Sequence, residues 1–193
     1  LKMKDIALLQ QLFVPELKRL DTCTLSGKID ETANIFETTV QVRNAAYDTY
    51  LLERANLTSG NESGRLVSSV QVKQLHIQSD TTETILPGAD LGINMTNDSL
   101  LLNMRVQTDT TGIALELKNL LAAINGNAYT VQLLDDTLVL NNKVWQVKPD
   151  NALTLSADGV EARNFRLGYG NGQLSINNKE PGNAVSPLLV ALS

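Results

Sequence analysis

The sequence predicts an all-β protein in which most of the chain forms antiparallel sheet. The first observation is repeated alternation of apolar and polar residues, as from Leu100 to Gln107, which is typical of strands with one buried face. The second is that short turn signals, such as Asn125-Gly126 and Asp158-Gly159, separate these runs. About a dozen strands joined by short turns indicate either a closed sandwich or a curled open sheet.

The N-terminal stretch differs from the remainder and predicts a short helical segment. Its apolar residues recur three and four positions apart, and Asp5 is a suitable cap. Pro15 divides the helix, because proline removes a backbone donor. We therefore predict a helical or cap segment over residues 1–23 and a sheet over residues 24–193, truncated at its C-terminal end. The apolar helix positions are Ile6, Leu9, Phe13, Leu17 and Leu20.

Strands then follow from Thr24 onward, with one irregularity. Val70 and Val72 carry the apolar alternation first, and Leu75 and Ile77 carry it afterwards. This shift of one residue predicts a bulge near Lys73-Gln74. Pro87-Gly88 predicts a further turn.

The stretch from Asn97 to Trp145 carries the clearest apolar face and is predicted to be a meander. Its alternation continues across the turn at Asp109–Gly112, so Leu102 and Leu115 should face the same side of the sheet. Trp145 is either a core anchor or part of an exposed lining. The apolar positions are Leu100, Leu102, Met104, Val106, Ile113, Leu115, Leu117, Tyr129, Val131, Leu133, Leu138, Leu140 and Trp145.

Composition excludes several classes of function. A net charge of −5 and the absence of basic runs argue against nucleic-acid binding. Cys23 is the single cysteine, which excludes an internal disulfide framework and a thiolate zinc site. The apolar runs Leu120–Ile124 and Leu188–Leu192 are too short to span a bilayer.

Catalytic arrangements are not recognisable either. His76 is the only histidine, and its place between Leu75 and Ile77 predicts a solvent-facing strand residue. With no second base, a Ser-His-Asp or Cys-His site is not expected. Asp135-Asp136 is predicted to be a turn. We expect a protein without catalytic residues, cofactor or metal.

Three motifs stand out in the sequence: Asn97-Asp98-Ser99-Leu100, Val144-Trp145-Gln146-Val147 and Asn164-Phe165-Arg166-Leu167. They resemble motifs of the TamB-like family, particularly of its Bacteroidetes-like members. This family is related to AsmA-like and other bridge-like lipid transport proteins and includes the translocation and assembly module. The family has a strand that opens on Asn-Asp-Ser, a Trp-x-Val step followed by Asn, and an Asn-Phe strand. The matching residues are Pro15–Leu20, Leu25–Ile29, Asn97-Asp98-Ser99-Leu100, Leu138-Val139-Leu140, Val144-Trp145-Gln146-Val147, Asn151-Ala152-Leu153, Asn164-Phe165-Arg166-Leu167 and Gln173-Leu174-Ser175-Ile176.

The resemblance implies a fold, a function and a location. The fold would be a β-taco, a long curled sheet with an open apolar groove. The chain would be a fragment of an inner-membrane-anchored protein of a Gram-negative bacterium, located in the periplasm. It would carry phospholipid acyl chains toward the outer membrane and support outer-membrane biogenesis. The parent protein would act there with a TamA-type partner in the outer membrane. The groove would be lined by the thirteen apolar positions given above.

Two other classes of protein fit the residues as well. One is a structural or adhesive β-sandwich, in which the apolar face is a dry core. The other is a chaperone surface that adds strands of unfolded outer-membrane proteins to a free sheet edge.

Overall fold

A computed structural model describes residues 2–3, 15–79, 81–108 and 112–193, and none of these residues is helical. The predicted all-β class is therefore confirmed. The strands are β1 (Lys2–Met3), β2 (Leu17–Asp30), β3 (Ile35–Tyr47), β4 (Tyr50–Glu62), β5 (Arg65–Gln78), β6 (Glu83–Met95), β7 (Ser99–Gln107), β8 (Ile113–Asn125), β9 (Ala128–Leu133), β10 (Thr137–Leu140), β11 (Lys143–Val147), β12 (Ala152–Ser156), β13 (Gly159–Arg163), β14 (Phe165–Tyr169), β15 (Gly172–Asn178) and β16 (Leu188–Leu192).

The chain divides into two compact units. The first unit comprises residues 1–92 and 106–112, and the second comprises residues 93–105 and 113–193. The division therefore falls within β6 and within β7. It does not coincide with the predicted boundary between residues 23 and 24, which β2 crosses without interruption.

The first unit is an antiparallel meander in which β1 to β6 follow each other in chain order. Directly opposite residues place their side chains on the same face of a sheet. One row of such residues joins Leu25, Val40, Leu57 and Val70, and the adjacent row joins Cys23, Val42, Ala55 and Val72. One face of this unit is therefore apolar across β2 to β5.

Two residues in the left-handed region bend this meander along a single row. Asn44 has φ of 48° and Gln74 has φ of 59°. Asn44 lies between Arg43 and Ala45, and Gln74 lies between Lys73 and Leu75. The pairing of neighbouring strands skips both positions, so the interruptions match from one strand to the next. A residue in this conformation interrupts the extended backbone, so alternation restarts one position later. The predicted irregularity lies at Gln74, but it is not the bulge that was predicted: one residue is skipped on each of β4 and β5, so the register is the same on both sides.

Asp21 lies on the same row and accepts a network of hydrogen bonds. Arg19 Nε and Nη2 donate to its two carboxylate oxygens at 2.8 and 2.9 Å, and Asn44 Nδ2 donates at 2.8 Å. The hydrogen bonds from Arg19, and then that from Asn44, lower the pKa of Asp21 from 3.8 to about 2. The folded state therefore retains this carboxylate in its charged form at pH values where the unfolded chain has begun to protonate it.

A pH dependence follows from this pKa. The unfolded chain protonates Asp21 before the folded chain does, so the stabilisation is complete above about pH 4 and is lost as the pH falls toward 2. We expect the Asp21→Asn variant to lose less stability than the unaltered chain over this interval. Urea unfolding at each pH checks this, with Glu31→Gln in an exposed turn as the control. An equal pH dependence in the unaltered chain and in Asp21→Asn would contradict the assignment.

Two local predictions were wrong. Leu17 and Leu20, which were assigned to a helix, lie in β2 and are both buried. The register shifts between Leu17 and Arg19, and this irregularity places buried residues three positions apart in a strand. Residues 4–14 of the predicted helix lie outside the described residues.

The second wrong prediction is the turn at Pro87-Gly88. This pair is not a turn, because β6 continues through it. The fixed φ of proline is compatible with an extended backbone.

The second unit is not a simple meander, because β8 pairs with two different strands. Its sheet follows the order β7-β8-β10-β11-β14-β15-β16, while β9 pairs with β8 and β12, and β12 pairs with β13. The first half of β8 pairs with β10 and its second half with β9. Asn119, with φ of 52°, separates the halves. β16 pairs only with β15 among the described strands, which leaves an open sheet edge.

Two buried asparagines connect the branches of this unit. Asn151 is 2% exposed; its Oδ1 accepts from Leu133 N at 2.8 Å, and its Nδ2 donates to Leu133 O at 2.7 Å. Asn178 is 4% exposed and makes comparable hydrogen bonds to β13. Its Oδ1 accepts from Ala162 N at 2.7 Å, and its Nδ2 donates to Val160 O at 2.7 Å. These carboxamides act as peptide groups where the strand ladder is interrupted.

Candidate functional site

The second unit contains a cavity of about 280 Å³ with mainly apolar walls, which we call the apolar cavity. It is formed by the end of β6, the turn before β7, the start of β7, the end of β8 and the middle of β9. Its walls are aliphatic and aromatic, and its polar residues come from the turn and from Thr130. The lining residues are Met95, Thr96, Asn97, Asp98, Ser99, Leu100, Ala122, Ala123, Ile124, Tyr129, Thr130 and Val131.

The β8–β9 hairpin provides one wall of the apolar cavity. Its turn contains Gly126, with φ of 63°, as the Asn125-Gly126 pair predicts. Ala122 lies opposite Val131, and Ile124 lies opposite Tyr129. The small side chain of Ala122 leaves free space beside Val131, which contributes to the cavity.

The turn before β7 provides the other wall. Ile124 N donates to Asp98 O at 2.8 Å, which attaches the turn to the end of β8. Within the turn, Thr96 N donates to Ser99 O at 2.8 Å, and the hydroxyl groups of Thr96 and Ser99 are 2.8 Å apart. Their hydrogen-bonding capacity is therefore met within the turn. Asp98 is the only charged residue of the lining.

The rim of the apolar cavity exposes large hydrophobic side chains. Met95 is 40% exposed, Ile124 47% and Tyr129 60%. Leu155, directly opposite Tyr129, is also exposed. Exposed apolar groups around an apolar concavity indicate a binding surface, because they lose water contact only when a ligand covers them.

Four of the predicted groove residues lie elsewhere, in a packed cluster. Leu138, Val147 and Leu167 form its buried centre, at 6–7% exposure. The Trp145 ring lies 5.6 Å from that of Tyr169, and Lys143 Nζ lies 5.0 Å from the centre of the Tyr169 ring. Trp145 thus packs against a core. The predicted groove residues in or against this cluster are Leu133, Leu138, Leu140 and Trp145.

Apart from the exposed Tyr129, the remaining candidates are half-buried strand residues. Leu115 lies directly opposite Leu140 and so shares a face with it. Val106 belongs to the first unit, whereas the other candidates belong to the second. That Leu102 and Leu115 share a face remains a prediction. The predicted residues that do line the apolar cavity are Leu100, Tyr129 and Val131, and the sequence analysis missed Met95, Ala122 and Ile124.

The titratable residues give little indication of catalysis. His76 Nδ1 lies 2.6 Å from Glu83 Oε1, so the histidine has a local partner. Cys23 is a half-buried free thiol opposite Val42. Throughout residues 15–79, 81–108 and 112–193, no three His, Cys, Asp or Glu residues are grouped as metal ligands.

Comparison with known proteins leaves the family unassigned. No protein-family model, no curated protein and no solved structure matches this chain. In the described part of the chain there is no helix with the length and hydropathy needed to cross a membrane.

Proposed function

We propose that this chain binds the acyl chains of phospholipids as part of a periplasmic, bridge-like lipid transport protein. The observation that carries the proposal is the apolar cavity with its exposed rim of Met95, Ile124 and Tyr129. Acyl chains fit such a site, because each CH2 removed from water contributes about 0.8 kcal/mol without directional contacts.

The apolar face of the first unit supports the same proposal. Its rows extend across four neighbouring strands, and in this unit only Leu17 and Leu20 are buried among the described hydrophobic residues. Leu25 is 44% exposed and Ile29 76%. A sheet face with this much exposed aliphatic surface suits a mobile hydrocarbon chain.

The TamB-like sequence motifs support the wider setting of the proposal. By that resemblance the parent protein is anchored in the inner membrane of a Gram-negative bacterium. It carries phospholipids toward the outer membrane and acts with a TamA-type partner in outer-membrane biogenesis. In this role, the chain supplies an apolar surface and no catalytic group.

A structural β-sandwich is the second candidate function. It is favoured by the packed cluster around Leu138, Val147 and Leu167, where apolar residues from β10, β11 and β14 are already buried. For this candidate the apolar cavity would be a packing defect without a ligand.

Filling the cavity tests the proposal. We expect the unaltered chain to retain phospholipid in organic extracts analysed by mass spectrometry. Ala122→Phe should reduce lipid retention and weaken binding of N-phenyl-1-naphthylamine at this site by about tenfold, equivalent to ~1.4 kcal/mol. The reason is that the added ring occupies the space beside Val131.

The matched control is Ala157→Phe, which adds the same ring in an exposed turn of the second unit. It should bind lipid and probe as the unaltered chain does. If the unaltered chain carries no lipid and binds no probe, the transport proposal is wrong and the structural candidate is favoured.

A further inference from the structure

Three cations lie side by side in the first unit. Arg43 is directly opposite Arg54, and Arg54 is directly opposite Lys73. All three side chains lie on the polar face, because their neighbours Val42, Ala55 and Val72 form a row on the apolar one. Such a row is unexpected in a chain with a net charge of −5.

No described residue neutralises the two arginines of this row. Lys73 Nζ has an acidic neighbour, Glu53 Oε1, at 3.8 Å. The guanidinium groups of Arg43 and Arg54 form no ion pair and no hydrogen bond with any described residue. Opposite residues of an antiparallel pair have Cβ atoms about 5 Å apart, and like charges at this distance are destabilising. An anion between the two guanidinium groups would relieve this repulsion.

A polar cavity of about 270 Å³ adjoins the two arginines. Gln41, Asn56 and Gln71 lie opposite one another in the next row and line it together with Arg43 and Arg54. Asn56 Oδ1 is buried and has no hydrogen-bond partner. A buried acceptor of this kind calls for a donor, because an unpaired polar atom that is removed from water destabilises the fold.

We propose that this cavity binds a phosphate ester that carries a hydroxyl or ammonium group close to the phosphate. Arg43 and Arg54 would donate to the phosphate oxygens, since the planar guanidinium forms paired, charge-assisted hydrogen bonds with oxyanions. The hydroxyl or ammonium group would donate to Asn56 Oδ1. The site lies on the face opposite the apolar rows and does not depend on the proposed acyl-chain binding.

Phosphoethanolamine is the test ligand, because it contains both groups. At constant ionic strength, replacing potassium chloride by phosphoethanolamine should raise the melting temperature of the unaltered chain. The ionic-strength match is needed because added salt also screens the repulsion between the arginines. A ligand that binds only the folded state stabilises it in proportion to the logarithm of its concentration.

Arg54→Glu separates the proposed site from a purely structural role. It changes the row to cation, anion, cation, so the variant without ligand should melt at a higher temperature than the unaltered chain. The same variant should lose the shift caused by phosphoethanolamine. Arg54→Gln, a milder change, should weaken binding by at least about tenfold, because one of the two charge-assisted donors is removed.

Arg166→Glu is the control, because it introduces the same change at an exposed position of β14 in the second unit, opposite Ser175. It should retain the phosphoethanolamine shift. Flotation with vesicles of phosphatidylethanolamine and phosphatidylglycerol identifies the source of the ligand. Binding to vesicles alone, lost in Arg54→Gln, assigns a lipid headgroup, and binding of the soluble ester assigns a free metabolite. If the unaltered chain binds neither phosphoethanolamine nor the vesicles, the proposal is wrong. It is also wrong if Arg54→Gln binds these ligands as well as Arg166→Glu does.

Discussion

Val131→Asp is expected to abolish lipid binding at the apolar cavity while the chain stays folded. Val131 lies opposite both Ala122 and Leu153, so a carboxylate there enters the middle of the apolar wall. An unpaired ion on such a surface costs several kcal/mol, and we expect binding of N-phenyl-1-naphthylamine to weaken about a hundredfold, ~2.7 kcal/mol. The exposed rim at Tyr129 lets the carboxylate reach water when no lipid is bound.

The control is Gln132→Asp, which introduces the same charge one residue away and on the other face of β9. Thermal unfolding and probe binding are measured on the same samples. A folded Val131→Asp variant that binds the probe normally would contradict the assignment of the cavity. Unfolding of Val131→Asp, but not of Gln132→Asp, would show that the cavity belongs to a closed core.

Asn178→Ala should cause a large loss of stability in the second unit. Besides its bonds to Val160 and Ala162, Asn178 Nδ2 donates to Asn183 O at 3.1 Å and to Ser186 O at 3.2 Å. Truncation removes the partner of one buried and three part-buried backbone groups. An unpaired buried group costs about 1–3 kcal/mol, and we expect a total loss of about 3–5 kcal/mol.

Asn177→Ala is a matched control for this prediction. Asn177 is the neighbouring residue on β15, is half-buried and makes no side-chain hydrogen bond that involves the described residues. Its truncation should cost less than about 1 kcal/mol. Urea unfolding followed by Trp145 fluorescence reports on the second unit directly. Equal midpoints for the two variants would mean that the Asn178 network does not stabilise the fold.

The bends of the sheet could be predicted from sequence only where the alternation is clean. The shift from Val72 to Leu75 identified the bend at Gln74. The bend at Asn119 was missed because every residue from Leu120 to Ile124 is apolar, so both faces are occupied and the phase is hidden. Asn44 was missed because the small Ala45 and Ala46 follow it and give no clear phase.

The candidate site could be predicted only in part, because it depends on long-range pairing. Alternation correctly identified Tyr129, Val131 and Leu133 as one face of β9. It could not show that β9 pairs with β12 rather than β10. That pairing separates these residues, so that Val131 lines the apolar cavity and Leu133 joins the packed cluster.

The nearest-neighbour pairing of β1 to β6 has a consequence for folding and for evolution. Every strand there pairs with the strand that precedes or follows it in the chain, so contacts form between residues close in sequence. Such a topology has low contact order, which favours rapid, stepwise folding from one hairpin to the next. It also means that a hairpin can be duplicated or deleted without rethreading the chain, as in repeat proteins. The length of the apolar face can therefore change in units of one hairpin while the remaining strands keep their register.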